Sequence, residues 1–468
     1  MQIVMFSVNP LFPDTVMGGA PKHLQNIAIH MGQRGHQVTV LCTRASANMG
    51  NFKWHDNVTV KPILRFHQPF PQPYAIPAYD MATAIQDVSN HLQTADRFYM
   101  HDGEFLYPYV YKDVPTVISL RDNVYPETLL GGFHFQAHKL VLISEYSRQY
   151  FQQTVGRFFP ELSERIEVIH NGLDWQKFKP TKPDKILDYV PIKLEDQPIL
   201  LHPHRPEESK GIMQTIDLVN LLVNERGFSN LIALAPRWHD VQASSDLREF
   251  YGQIEQKIAD YNLQDNFIFH GWIPQELMPE YFSLGTVTVS LGYFPESFGN
   301  AVYESMGCGT PTIAARISTH RELLPDTLID KVDYGDIGSA AEIASEIIRS
   351  GRRTSPQTLD YLHQNYGIER QLNAYAEVIE NAQIATPMVY RHPALTADTR
   401  YQLGGWCYVS QSRGIYHDFN ADYLNEPALI RAVQQFPDGF TQAQAQKMGI
   451  SESRFEFLYR AGYLVPII

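Results

Sequence analysis

The chain has 468 residues, 44% hydrophobic and 19% charged, a globular balance that excludes wholesale disorder and, by length, suggests about three domains. Its net charge of −13 argues against nucleic-acid backbones and anionic membrane surfaces as default partners. Cys42, Cys308 and Cys407 are far apart with no CxxC spacing, so neither a disulfide framework nor a zinc site is expected and a reducing cytoplasm fits.

No apolar run reaches the ~18–20 residues of a membrane-spanning helix, and residues 2–8 read as a buried strand, not as a signal peptide. Apolar runs alternate with amphipathic stretches, which predicts an α/β architecture with parallel sheets. The first strand leads into a loop with Gly18-Gly19, then a helix carrying Leu24, Ile27, Ala28 and Met31 at helical spacing, a stop at Gly35 and a strand over 37–41. Strands are predicted near 58–64, 97–101, 115–120, 139–143 and 166–169, and helices over 78–94 and 144–154. Residues 179–197, with Pro180, Pro183 and Pro191, read as a linker. The pattern then restarts: strand 198–202, helix 211–225, strand 231–235, helix 246–261, and strands 266–270, 286–290 and 310–314. Residues 338–385 read as helical throughout; beyond 418 come helices over 427–436 and 452–460, a turn at Gly449 and a strand at 463–465. The implied organisation is two doubly wound halves, 1–180 and 198–365, a crossover helix and linker over 366–395, and a small module over 396–468. Ligands of such sheets sit at the carboxyl ends of the strands, so a cleft between the halves is the expected site.

The sharpest chemical pattern is Glu296-Ser297-Phe298-Gly299-Asn300-Ala301-Val302-Tyr303-Glu304, which follows a strand and opens a helix. Gly299 has no Cβ, so a ligand can approach the backbone, and the amides of Phe298, Gly299 and Asn300 lie where a helix start favours an anion. Glu304, one turn in, can accept from a ribose diol, while Glu296 on the loop can bond a second polyol. A nucleotide sugar offers diol, diphosphate and sugar in that order. The alternative is a helix start with solvated glutamates.

This segment, with Met306-Gly307-Cys308-Gly309-Thr310-Pro311 after it, resembles the E-x7-E region of retaining glycosyltransferases of the GT-B fold, family 4 (group 1). Gly18-Gly19-Ala20-Pro21, Ile143-Ser144-Glu145-Tyr146-Ser147 and Ile169-His170-Asn171-Gly172-Leu173-Asp174 resemble further family segments in the same order, over roughly residues 1–385. The resemblance implies two facing Rossmann-like parallel-sheet domains. It assigns Arg205 and Lys210, in His204-Arg205-Pro206-Glu207-Glu208-Ser209-Lys210-Gly211, to the donor diphosphate and makes them, with Glu296, the catalytic set. The alternative for this loop is a surface pairing with Glu207 or Glu208. Gly18 and Gly19 would offer amides to the same phosphates; Phe298, Gly299, Asn300 and Glu304 would bind the donor; Ile273, in Gly271-Trp272-Ile273, would meet the base or be core. Where many relatives carry a histidine after the fourth strand, this chain has Arg121 and Asp122, with His101 ending the previous strand. Arg121 can bind an acidic acceptor, an acidic donor sugar or a phosphate, or pair structurally with Asp122 or Glu127.

The implied activity is retaining transfer of a hexose from a nucleotide-diphosphate sugar, UDP-linked first, to a glycan, lipid-linked or protein acceptor. No cofactor is expected, and no HExxH or Asp-x-Asp occurs, so metal-independence is expected. A glycosidase reading fails, because glycosidase carboxyls flank the scissile bond whereas Glu304 should meet a ribose. A GT-B-fold sugar-nucleotide epimerase and a non-enzymatic sugar-nucleotide sensor remain as alternatives.

The module over 396–468 has a winged-helix-like layout, but its charges nearly cancel, against the basic face of a nucleic-acid binder. It is either a protein-docking or dimerisation element, whose removal would spare donor hydrolysis and change acceptor use, or a structural cap on the amino-terminal half. Tyr150, Phe151, Phe158 and Phe159 with Arg148 and Arg157 are either a core helix or a peripheral contact with the inner membrane face, where a lipid-linked acceptor waits.

Overall fold

The computed structural model describes residues 1–16, 18–46, 48–67, 74–102, 107–205, 207–237 and 245–468, without the side chains of 245 and 246. It forms two compact units: Met1–His170 with Glu369–His417 and Asp422–Ile468, and Asn171–Ile368 with Asp418–Ala421.

The first unit is built on β1 (Gln2–Pro10), β2 (Gln37–Thr43), β3 (Phe52–His55), β4 (Val58–Leu64), β5 (Arg97–His101), β6 (Thr116–Leu120), β7 (Lys139–Leu142) and β8 (Ile166–Val168). Their order is β3-β4-β2-β1-β5-β6-β7-β8, antiparallel only at β3–β4. Both faces are covered, so β6 is buried at every position instead of alternating. Phe6, Phe98 and Leu142 pack against Val88 of the helix Ala78–Leu92 and Phe151 of the helix Glu145–Gln153. On the other face Met5, Val40 and Val117 meet Leu24 and Ile27 of the helix Gly19–Gln33, and Tyr375 and Ile379 of the helix Ile368–Glu380. A forked bond from Arg34 to Glu380, at 2.7 and 2.8 Å, pins the end of that helix.

The second unit has β9 (Ile199–Leu201), β10 (Ile232–Pro236), β11 (Phe267–His270), β12 (Val287–Ser290), β13 (Thr312–Ala315) and β14 (Asp330–Val332). The sheet is parallel, in the order β11-β10-β9-β12-β13-β14. The order reverses between β9 and β12, so the loops leaving those two strands stand at the switch point where ligands of such sheets bind.

Two expectations need correction. Residues 179–197 are not a loose linker: Ile186 and Val190 are buried with Ile199, Tyr281 and Phe282, and Glu280 accepts from the amides of Asp184 and Ile186 at 2.8 and 3.1 Å. The prolines there signal irregular backbone, while the apolar residues between them bind it to the second unit. The stretch 338–385 is three helices, Ile337–Ser350, Pro356–Asn365 and Ile368–Glu380; left-handed Gly351 and Pro356 make the first break. Of the two readings for the aromatic residues near 150, the packing fits the core helix: Phe151 is buried, Phe158 and Phe159 pack on Phe133 and Tyr390, and Arg157 donates to the Tyr459 hydroxyl at 2.9 Å.

Beyond 396, β15 (Arg400–Leu403), β16 (Cys407–Val409), β17 (Ile415–His417), β18 (Asp422–Leu424) and β19 (Leu464–Ile467) form two antiparallel sheets, β15-β19 and β16-β17-β18. Ile415, Leu429, Phe440 and Leu458 share one core with Tyr146 of the helix Glu145–Gln153, and the Gly405 amide donates to Gln153 Oε1 at 2.7 Å. Among the described residues no helix is long and apolar enough to cross a membrane.

Candidate functional site

The loops leaving β9 and β12 are locked main chain to main chain. A Cβ on Gly211 (φ +86°) would run into the Gly292 amide, and one on Gly292 into the Ser209 carbonyl; the Phe294 amide donates to that carbonyl at 2.9 Å. The lock places Lys210 Nζ 2.6 Å from Glu296 Oε1 and 3.4 Å above the centre of the Phe294 ring. Lys210 is 10% exposed and Glu296 25%. Burial pushes the Glu296 carboxyl up, but the Lys210 charge and hydrogen bond, helped by His320 and His204, bring it below its ordinary range. The pair is therefore an ionised couple in a low-dielectric setting, where each charge acts strongly on whatever binds next to it.

Gly299 (φ +80°) begins the helix Asn300–Gly307 with no side-chain cap, which leaves the first amides to an anion. Asn171 Nδ2 donates to Asn300 Oδ1 at 3.0 Å. Phe298 is core: its ring meets Tyr303 and Tyr366, and only its backbone belongs to the helix start. One turn on, burial lifts the Glu304 carboxyl to about 7, against the opposing charge of Lys177. Two carboxylates eight residues apart thus behave differently, Glu296 ionised and Glu304 poised at neutrality.

Two imidazoles complete this corner: His204 opens the segment that carries Arg205 and Lys210, and His320 has no local signature in the sequence. His320 Nδ1 shares a hydrogen bond with the Tyr303 hydroxyl at 3.1 Å, and its ring stands where a Cβ on Gly299 would come within 2.5 Å of it. His204 follows β9. Burial pushes both down to about 4, with Lys210 adding to the effect on each, so both are neutral at pH 7. Their Nε2 atoms are buried without a protein partner among the described residues.

The remaining predicted donor residues divide. Arg205 is 56% exposed with Nε 3.4 Å from Glu207 Oε1, the surface pairing held open above; Pro206 lies outside the described residues. Ile273 is core, packed in the cluster of Leu277 and Tyr281.

The predicted residues of the first unit form their own cluster at the carboxyl ends of β5 and β6. Gly18 (φ +95°) caps the helix Gly19–Gln33 without a side-chain bond. His101 is engaged on both nitrogens: the Ala20 carbonyl can only accept, so Nε2 donates to it at 2.9 Å and Nδ1 accepts from the Tyr99 hydroxyl at 2.7 Å. Asp122 accepts from the amides of Val124 and Tyr125 at 2.5 and 3.2 Å, a turn-stabilising role. Arg121 donates to the Tyr375 hydroxyl at 3.2 Å. Asp102, with φ +55°, joins them; burial raises its carboxyl to about 6, Arg121 opposing and Asp122 adding. Gly103 and Glu104 lie outside the described residues. No group of His, Cys, Asp or Glu suited to a metal ion occurs among the described residues.

Two doubly wound parallel sheets in one chain, the second with an E-x7-E helix start at its switch point, define the GT-B class. Residues 17–177 match the family model described as Glycosyltransferase Family 4 and residues 188–329 the one described as Glycosyl transferases group 1; the chain belongs to these family 4 glycosyltransferases. Among curated relatives, the 2-deoxystreptamine N-acetyl-D-glucosaminyltransferase of Streptomyces fradiae is 23% identical over 219 residues, 42% of this chain and 51% of that one. The chain spans about half the length of the curated relatives it matches. Among solved structures, a sucrose-phosphate synthase from Thermosynechococcus elongatus superposes with a TM-score of 0.66 at 17% identity, covering 81% of this chain and 98% of that one. HepE of Anabaena, solved with UDP and glucose, gives 0.62 at 20% identity, covering 81% and 99%. These likenesses show a shared fold.

Proposed function

We propose that the chain is a retaining hexosyltransferase that takes its sugar from a UDP-sugar and passes it to a hydroxyl of a glycan, lipid-linked or protein acceptor. The observation that carries this reading is the Lys210–Glu296 pair, 2.6 Å long, beside the open start of the helix whose next turn bears Glu304. The ribose diol donates to Glu304, and the diphosphate lies on the amides of Gly299 and Asn300 beside Lys210. Arg205, free to move from Glu207, adds a second cation; Glu296 takes the sugar hydroxyls. Uridine is favoured because HepE, of the same fold, was solved with UDP.

In the transfer step the bond from the anomeric carbon to the diphosphate oxygen breaks, and the acceptor oxygen bonds that carbon from the same face. The acceptor proton passes to the departing diphosphate. No enzyme nucleophile is needed; rate comes from positioning and from positive charge already in place at the leaving group. Lys210 and the helix start supply that charge, so the reaction proceeds without a metal. Cys42, Cys308 and Cys407 are buried and none is in a disulfide, which suits a reducing cytoplasm.

The test incubates the full chain with UDP-glucose labelled at the anomeric carbon and follows it by NMR, with and without chelator. Release of UDP with glucose or glucoside first formed as the α anomer, undiminished by chelator, is expected. A free epimer of the donor, or binding with no turnover, overturns the reading in favour of an epimerase or a sensor.

A further inference from the structure

Residues 418–421 belong to the second unit, although β17 and β18 on either side are grouped with the first. They lie beyond both family-matched segments, the second of which ends at 329. The Asp418 side chain is 0% exposed. Its two oxygens accept from Arg321 Nη1 and Nη2 at 2.7 and 2.8 Å, and Oδ1 also accepts from the Ser318 amide at 3.2 Å. This fork is charge-assisted at both ends and bidentate, the strongest form of such a bond. It holds the turn Ser318–Arg321, whose first residue has φ +43°, a conformation a non-glycine residue keeps only when its surroundings impose it.

Two further bonds of that turn lead into the candidate site. Ser318 Oγ donates to the Glu296 carbonyl at 2.8 Å. His320 bonds Tyr303 and stands against Gly299, with Nε2 buried and unpartnered. We propose that Asp418 is a positioning residue of the donor site: it fixes the turn that sets the Glu296 main chain and aims the His320 imidazole at the sugar of the donor. The inference rests on the functional reading above and assigns His320 Nε2 as a further contact for a sugar hydroxyl. On this account, removing 396–468 does not spare donor chemistry, contrary to the expectation for a separate docking module.

Full-length Asp418→Asn is compared with wild type by calorimetric titration with UDP and, separately, with UDP-glucose. The nucleotide is held by Glu304 and the helix start, the sugar by Glu296 and His320. UDP affinity should therefore hold within about twofold while UDP-glucose weakens about tenfold, the scale of one charge-assisted bond. Arg321→Lys, which keeps the charge and loses the fork, should give the same selective loss, and serves if Asp418→Asn does not fold. Equal weakening of both ligands, or no change in either, overturns the proposal. If wild type binds neither ligand, the functional reading fails by itself. The positioning role is then judged on the His320 ring nitrogens by ¹⁵N NMR: displacement in the variant supports it, and unmoved resonances overturn it.

Discussion

On the proposed function, Glu304 should link donor binding to pH. Its carboxyl sits at about 7 in the free protein because burial disfavours the charge, and Lys177 only partly offsets this. A ribose diol donates to the ionised form, so bound donor should return the group toward its ordinary 4.5. Binding below pH 7 then requires a proton to leave first. At pH 5.5 that costs about 2 kcal/mol, a loss of about 30-fold in affinity relative to pH 8.5. UDP-glucose is the proper probe, because its diphosphate is esterified at both ends, whereas the terminal phosphate of UDP titrates near pH 6. Titration calorimetry at both pH values reads the affinity, and two buffers of different ionisation heat at pH 6 count the proton released. His204 and His320, at about 4, stay neutral through this window. Asp102, at about 6, titrates within it, so Glu304→Gln is needed to separate the two: its affinity should be low and flat with pH. Affinity independent of pH in wild type, or the same slope in Glu304→Gln, would refute the reasoning.

Without ligand the sign reverses. A carboxyl raised in the folded state favours folding below its unfolded value near 4.5 and loses that advantage as pH rises through about 7, so Glu304→Gln should raise the melting temperature at pH 8. Lys210→Met strands the Glu296 charge; unfolding in urea should show a loss of about 2–3 kcal/mol, discounted for partial exposure, which adding Glu296→Gln recovers without restoring UDP release. Gly299→Ala sets a Cβ against His320 at φ +80°, for which about 1–2 kcal/mol is expected from the backbone alone; His320→Ala in the same background should recover only the steric part of the loss in urea. His101→Phe breaks the bonds to Tyr99 and Ala20 and should lower stability by about 1–3 kcal/mol. Intact stability with lost turnover would instead make His101 a sugar contact.

The parts of the fold visible in the sequence are those encoded by consecutive residues. A strand buried on both faces is a run of mostly apolar residues, as in Val117-Ile118-Ser119-Leu120, and a strand–glycine–helix transition is written in nine adjacent positions from Glu296 to Glu304. Strands β15 to β18 have three or four residues each, too short for a period to emerge, and β15 is defined by its partner β19, far along the chain.

The site was readable to the same depth and no further. The Glu296–Glu304 segment is legible because its own backbone makes the helix start. Arg205 also follows local rules: without a phosphate nearby, its nearest countercharge is two residues away on Glu207, and the surface pairing prevails. His320 has no such signature. Its place beside Glu296 depends on the turn that Asp418 ties down, through a bond spanning 97 positions between Arg321 and Asp418. No periodicity or motif relates residues at that separation. The pairing emerges only once the sheet has set the register of β13 against β12 and the chain has come back from β17. Local chemistry writes the helix start and its flanking carboxylates; long-range pairing decides how firmly they are held.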